Sequence, residues 1–218
     1  NHPMLSDDPL RPYLQRVDDD WRMVYTFRDL PEYRHKNSRR GKMYYHYLLR
    51  ARSVQALALV HGYISKQLKL GHIDRTWIWE PGIDARVYAP PQQPEWVEAW
   101  EITRTLLRMI RDETRARGAT LRVLGLTTGA QVYPGDEPVT SMRERLEVPD
   151  LFYPNWLLGQ FAEEDGYDYL DLAGPMAAQA RASGVFFHGL KKQNGLGHWN
   201  HAGHTAAAQL LAERLCSQ

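Results

Sequence analysis

Three histidines stand three residues apart near the C-terminal end of the chain, in the stretch Gly195-Leu-Gly-His-Trp-Asn-His-Ala-Gly-His-Thr: His198, His201 and His204. Imidazole is the side chain that can take up or release a proton near neutral pH, and it is also a common metal ligand. Three kinds of chemistry are therefore open to this cluster. It can supply three ligands to a metal, offer one general base, or only pack and cap. Asn200 suits a helix N-cap, because its side-chain oxygen can accept a backbone N–H of the first turn. The helix that follows carries Ala207, Leu210, Leu211 and Leu215 on one face. This places His198 in the loop before the cap, His201 in the first turn and His204 one turn on. Helical metal motifs usually set two histidines at i, i+4, and no acidic or cysteine ligand lies close in sequence, so a metal site is the least expected of the three.

The elements that would position such a base are legible in outline. Pro94 to Gly118 has apolar residues at Trp96, Trp100, Thr103, Leu107 and Ile110, with Pro94 for the first turn and Gly118 for the C′ position. Leu121 to Leu126 reads as a short buried strand. The stretch from Val148 to Gly166 predicts a second helix, Tyr167 to Leu172 a second strand carrying Asp171, and Ala173 to Gly184 a short helix. Helices alternating with short buried strands imply an α/β protein with a parallel sheet flanked by helices. In such sheets the working residues sit past the strand C-termini.

The first 93 residues are less ordered in pattern. Trp21 to Phe27 alternates like a short strand inside an otherwise irregular excursion. Gly41 to Leu68 reads helical in one or two pieces, and a basic cluster precedes it (Arg34, Lys36, Arg39, Arg40, Lys42). That cluster is a solvated face or a contact for phosphate or a lipid headgroup. Residues 71–94 read as a loop, with Trp77 and Trp79 on one side of it, packed on the core or stacked on a sugar ring. The chain is expected to form one domain over 1–218: an irregular and helical insertion region over 1–93 and an α/β core over 94–218.

Composition sets the remaining bounds. The 218 residues are 43% hydrophobic and 24% charged, with a formal net charge of +1, which suits a globular domain and gives no basic excess for nucleic acid. No apolar run is long enough to span a membrane. The one cysteine, Cys216, has no intrachain partner. The opening Asn-His-Pro-Met suggests a processed product or part of a longer chain.

The stretch Gly197 to Leu215 resembles the last motif block of the SGNH (GDSL-type) serine hydrolases, in which a catalytic His precedes Trp or Pro and then Asn, followed by Gly-His and a final helix rich in Ala and Leu. The preceding order agrees: a helix with Ala99-Trp100 and Leu106-Leu107, a strand running into Thr127-Thr-Gly-Ala-Gln-Val-Tyr-Pro, and Leu170-Asp-Leu. The likeness covers roughly 94–215 well and 1–93 loosely. It implies a flavodoxin-like three-layer fold whose N-terminal strands lie outside these residues. It also implies an ester hydrolase, a carbohydrate O-acyl esterase or lipase-like enzyme, working on a small-molecule or carbohydrate ester and exported or periplasmic. His198 would be the base toward a nucleophilic Ser, Asn200 the capping residue after it, and His204 structural, in a mechanism that needs no metal and no cofactor.

Two features depart from that family. None of Ser6, Ser38, Ser53, Ser65, Ser141, Ser183 or Ser217 lies in a Gly-Asp-Ser block or a Gly-x-Ser-x-Gly elbow, so the nucleophile is expected outside these residues. The family's Asp before the His is replaced by Gly195 and Leu196. Asp171, a backbone carbonyl of the Asn194–Gly197 loop, or no third member at all would take its place. Asp171 also reads as a plain strand-end cap. His188 either lines the same cleft as a substrate contact, with Trp199 and Asn200, or packs beside Phe186 and Phe187. The competing function is a noncatalytic glycan-binding or interaction module of the same fold.

Overall fold

A computed structural model describes residues 11–18, 20–48, 50–70, 83–190 and 194–216. The chain divides into two compact units, Asn1–Asp74 with Glu95–Thr103 and Arg75–Pro94 with Arg104–Gln218. Trp77 and Trp79 lie outside the described residues.

The first unit opens with a hairpin. Strand β1 (Tyr13–Val17) pairs antiparallel with β2 (Asp20–Val24), with Val17 opposite Asp20. The turn takes Asp18 to a φ of +51°, a left-handed conformation that the short polar Asp tolerates. Only β2 is apparent in the alternation of side chains; β1 is an addition. A 3-10 turn (Thr26–Asp29) leads to helices α1 (Pro31–Asn37) and α2 (Arg39–Met43). Pro31 sits in the first turn of α1, and the Ser38 hydroxyl caps α2 by accepting the Gly41 N–H at 3.0 Å. A π-helical turn (Tyr44–Leu48) precedes α3 (Arg52–Leu70), so the long helical stretch is indeed broken in two.

In the second unit a 3-10 turn (Ala85–Tyr88) precedes α4 (Pro94–Ala116), whose C-terminal part belongs to this unit. Then follow β3 (Arg122–Gly125), α5 (Asp136–Leu146), α6 (Tyr153–Asp165), β4 (Asp168–Asp171), α7 (Ala173–Ser183) and α8 (His201–Cys216). The protein is thus mixed α/β. Strands β3 and β4 pair in parallel from Arg122 opposite Asp168 to Gly125 opposite Asp171. Among the described residues the β structure amounts to this pair and the hairpin. Helices α7 and α8 bury Met176, Ala177, Ala180, Ala206 and Ala207 in one core with Val132, Leu172 and Phe187, against which Leu124 and Leu170 pack. A second core joins Tyr88, Ala130, Met142, Val148 and Leu151, so α5, which the pattern of the sequence does not suggest, is a packed element.

Helix α4 differs from its expected face. Ile102 is its buried residue, and Ile110 is exposed. Its more consequential stripe is charged. Arg104, Arg108, Arg111 and Arg115 recur at helical spacing and grip the C-terminus of α6. Arg104 and Arg108 donate to the Asp165 carboxylate at 2.8 and 2.7 Å, while Arg111 and Arg115 donate to the carbonyls of Asp165 and Gly166. Cations at a helix C-terminus also complement its dipole. The Asp165 side chain is only 4% exposed. Its hydrogen bonds to Arg104 and then Arg108 outweigh desolvation and hold its carboxyl well below the usual carboxylate range.

Asp165→Asn leaves Arg104 and Arg108 without their shared anion and is expected to cost about 3 kcal/mol, read as a lower urea midpoint. Because the folded carboxyl is the stronger acid, its contribution is present above the ordinary Asp value of about 3.9 and is lost as pH falls below it. The wild type and the variant should therefore converge in stability on acidification.

Candidate functional site

Parallel pairing puts the C-termini of β3 and β4 at one edge, with Gly125 opposite Asp171. Two segments leave from that edge: the loop that begins at Leu126, and the start of α7. A buried polar chain ties them together. Gln131 Oε1 accepts the Thr128 N–H at 3.0 Å. Gln131 Nε2 donates to Leu151 O (2.9 Å) and to Asn155 Oδ1 (2.6 Å), and Asn155 Nδ2 donates to Asp171 Oδ1 (2.7 Å). At the other end Tyr88 donates its hydroxyl proton to Thr128 Oγ1 at 2.7 Å. Gln131 and Asn155 are buried, so each such bond spares the cost of an unpaired polar group.

Asp171 is committed within this chain. Besides Asn155 it accepts the Ala173 N–H (3.0 Å) and the Gly174 N–H (3.3 Å), capping the start of α7. Among the described residues its carboxylate bonds no histidine. Its neighbour Tyr169 has its phenol pushed up to about 12, first by burial and then by the Asp171 charge, so it stays protonated.

The histidine loop hangs beside this edge. His188 and Trp199 form an antiparallel bridge, and three backbone bonds of 2.9 Å hold the loop: Gly189 N–H to His198 O, Gly195 N–H to His188 O, and Asn200 N–H to Phe187 O. Asn200 caps α8, accepting the Gly203 N–H at 3.0 Å, and its amide donates to Phe186 O at 2.7 Å. Side chains then fasten the loop to the segment after β3. Trp199 Nε1–H donates to Thr127 Oγ1 at 2.7 Å. His188, 3% exposed, lies 2.8 Å from the same hydroxyl through Nε2 and 2.5 Å from Gly197 O through Nδ1. A carbonyl only accepts, so Nδ1 carries the proton. In the neutral form of the ring, Nε2 is then left to accept the Thr127 proton. Two glycines make this approach possible. A Cβ on Gly129 would lie 2.0 Å from Gly195 O, and Gly195 itself has a φ of +82° with its Cβ position 2.4 Å from the Tyr133 ring.

The sequence-derived candidates therefore separate into roles. His188, Trp199 and Asn200 are brought together as the frame of the loop. His198 stands on that frame with an exposed imidazole, and among the described residues its ring has no hydrogen-bond partner. His204 is exposed with its ring edge-on to Trp199 at 5.6 Å, and His201 is exposed in the first turn of α8. Among the described residues no three His, Cys, Asp or Glu side chains are grouped to hold a metal ion.

No family model, curated protein or solved structure matches this chain. Thr127 and Gln131 belong to the loop quoted for its likeness to the serine hydrolases, but nothing in the sequence marks them or Asn155 as the hydrogen-bond partners that complete the edge. Their signal is only that of polar residues within segments that are otherwise apolar.

Thr127→Val keeps the volume but removes the acceptor of Trp199 and the donor to His188. It is expected to destabilise the protein by about 2 kcal/mol and to speed amide exchange selectively at Gly189, Gly195 and Asn200. Unchanged exchange at those amides would mean that the side-chain bonds do not hold the loop.

Proposed function

We propose that this chain is the histidine-bearing part of an ester hydrolase of the SGNH type, with His198 as the general base and a nucleophilic Ser supplied from outside these residues. One observation carries the reading. An exposed imidazole with no hydrogen-bond partner among the described residues sits on a loop pinned by backbone bonds at the C-terminal edge of a parallel strand pair. A base needs access to its proton donor and a fixed position, and this arrangement supplies both. In the same reading β3 and β4 are two strands of a larger parallel sheet flanked by helices.

The reaction follows from that placement. The imidazole takes the Ser hydroxyl proton as the oxygen attacks the ester carbonyl carbon. It returns the proton to the departing alcohol as the C–O bond breaks, leaving an acyl-enzyme. Water, deprotonated by the same ring, then releases the acid and restores the Ser. Asp171 is occupied in capping α7, so orientation of the ring falls to the loop.

A second reading is a noncatalytic carbohydrate-binding module. A concavity of about 350 Å³ lined by Tyr88, Val148, Phe152, Tyr153 and Trp156 favours it, since the exposed Trp156 at its rim offers an aromatic face that suits a sugar ring.

A fluorophosphonate probe separates the two. The whole natural protein should be labelled on Ser, and the 218-residue chain alone should not. Stoichiometric labelling of that chain would overturn the placement of the nucleophile. In the whole protein His198→Ala should lower turnover on the order of 10⁴-fold, while His204→Ala should lower the melting temperature and retain turnover. The reverse pattern would move the base to another residue.

A further inference from the structure

Charge is not spread evenly along this chain. Between Glu32 and Asp74 there is no acidic residue at all, yet nine lysines and arginines occur there; the other 18 share the rest of the chain with all 26 acidic residues. A net charge near zero thus conceals a strongly cationic segment in a chain that is otherwise acidic. Asymmetry of this kind points to an anionic partner.

The first unit gives the segment a shape. Lys36, Lys42, His46 and Arg50 line an open concavity of about 700 Å³ together with Met43 and Tyr47. The Arg50 guanidinium donates to His46 Nε2 at 3.4 Å, so that ring nitrogen is an acceptor there. Asp29, which precedes the segment, is already paired with Arg34 at 2.9 Å.

Charge alone would suit any polyanion. The apolar residues narrow the choice. Met43 and Tyr47 are exposed beside the basic side chains. Two residues beyond Arg50, α3 begins and presents Leu57, Val60 and Ile64 at i, i+3 and i+7, exposed by 70, 56 and 51%. Aliphatic side chains on one helix face find no partner along a phosphodiester backbone. They do find one at the boundary between lipid headgroups and acyl chains, where a basic amphipathic helix lies in the plane of the surface. No helix among the described residues is long and apolar enough to cross a membrane, so the contact is with the surface.

We propose that residues 36–64 form a membrane-surface contact. Lys36, Lys42 and Arg50 bind the headgroups of anionic phospholipids, and Leu57, Val60 and Ile64 enter the headgroup–acyl boundary. The proposal is independent of the ester-hydrolase reading.

Co-sedimentation of the full chain with vesicles tests it, using phosphatidylcholine alone or mixed with phosphatidylglycerol. Binding is expected to the mixed vesicles only and to weaken as salt is raised. Lys42→Ala and Arg50→Ala should each weaken it about fivefold. Leu57→Gln should weaken it at unchanged charge. All three positions are exposed, so the circular dichroism spectrum should be unaltered. Absence of binding, equal binding to both vesicle types, or full binding by the Lys42→Ala/Arg50→Ala double variant would each overturn the proposal. So would retention of duplex RNA with the vesicles ignored, which would give the segment to nucleic acid. Self-association without lipid that Leu57→Gln abolishes would give the face to a second copy of the chain.

Discussion

A single side-chain amide, that of Asn155, holds three separate segments of the second unit in register. Its oxygen accepts from Gln131 in the segment after β3, its nitrogen donates to Asp171 at the end of β4, and its own backbone is the start of α6. An amide is suited to this because it offers both a donor and an acceptor. A carboxylate or an ammonium at the same place would satisfy one neighbour and repel or strand the other. Because the amide is buried, neither bond competes with water, and loss of either partner exposes the full desolvation cost of the group left behind. The edge on which the histidine loop is built inherits its geometry from this arrangement.

The loop in turn shows how rigidity and exposure can coexist in neighbouring residues. His188 spends both ring nitrogens on the protein, Trp199 spends its indole N–H, and Asn200 spends its whole amide on the start of α8 and on Phe186. His198 spends only its backbone carbonyl. Three bonded side chains fix the path of the chain, and the exposed His198 imidazole is placed by them with no hydrogen bond of its own among the described residues. Two histidines ten residues apart thus stand in opposite settings, and burial is what separates them.

Most of the second unit could be read from residue order because its ends are punctuated. Pro94 opens α4, and Gly118, Gly166 and Gly184 take positive φ where the helices stop. The strand positions were legible to within about two residues, and Asn200 as a cap agrees with the structure. What escaped lacks a local signature. Helix α5 follows Gly135 with Asp-Glu-Pro, and its stripe of Val139, Met142 and Leu146 is too short to stand out as a helical period. The hairpin turns on Asp18 without a glycine. The arginines of α4 look like a solvated face until Asp165, more than fifty residues on, is placed beside them. Thr127, Gln131 and Asn155 escaped for the same reason: a hydrogen bond between distant side chains leaves no periodicity in sequence. The parallel sheet expected for the core is represented among the described residues by β3 and β4.

The pairing of those two strands also governs the order in which the chain can fold. An antiparallel hairpin such as β1–β2 closes through a short turn, but β3 and β4 are separated by residues 126–167 and by two helices. Closing that loop costs entropy before any ladder bond repays it. As the chain emerges during synthesis, β3 is complete long before its partner exists. The hydrogen-bonding groups it will offer to β4 remain open through that interval. Helix α6, which carries Asn155, is made just before β4, so the segment that locks the edge and the strand that completes it become available almost together. The late steps of folding are therefore the ones that assemble the site.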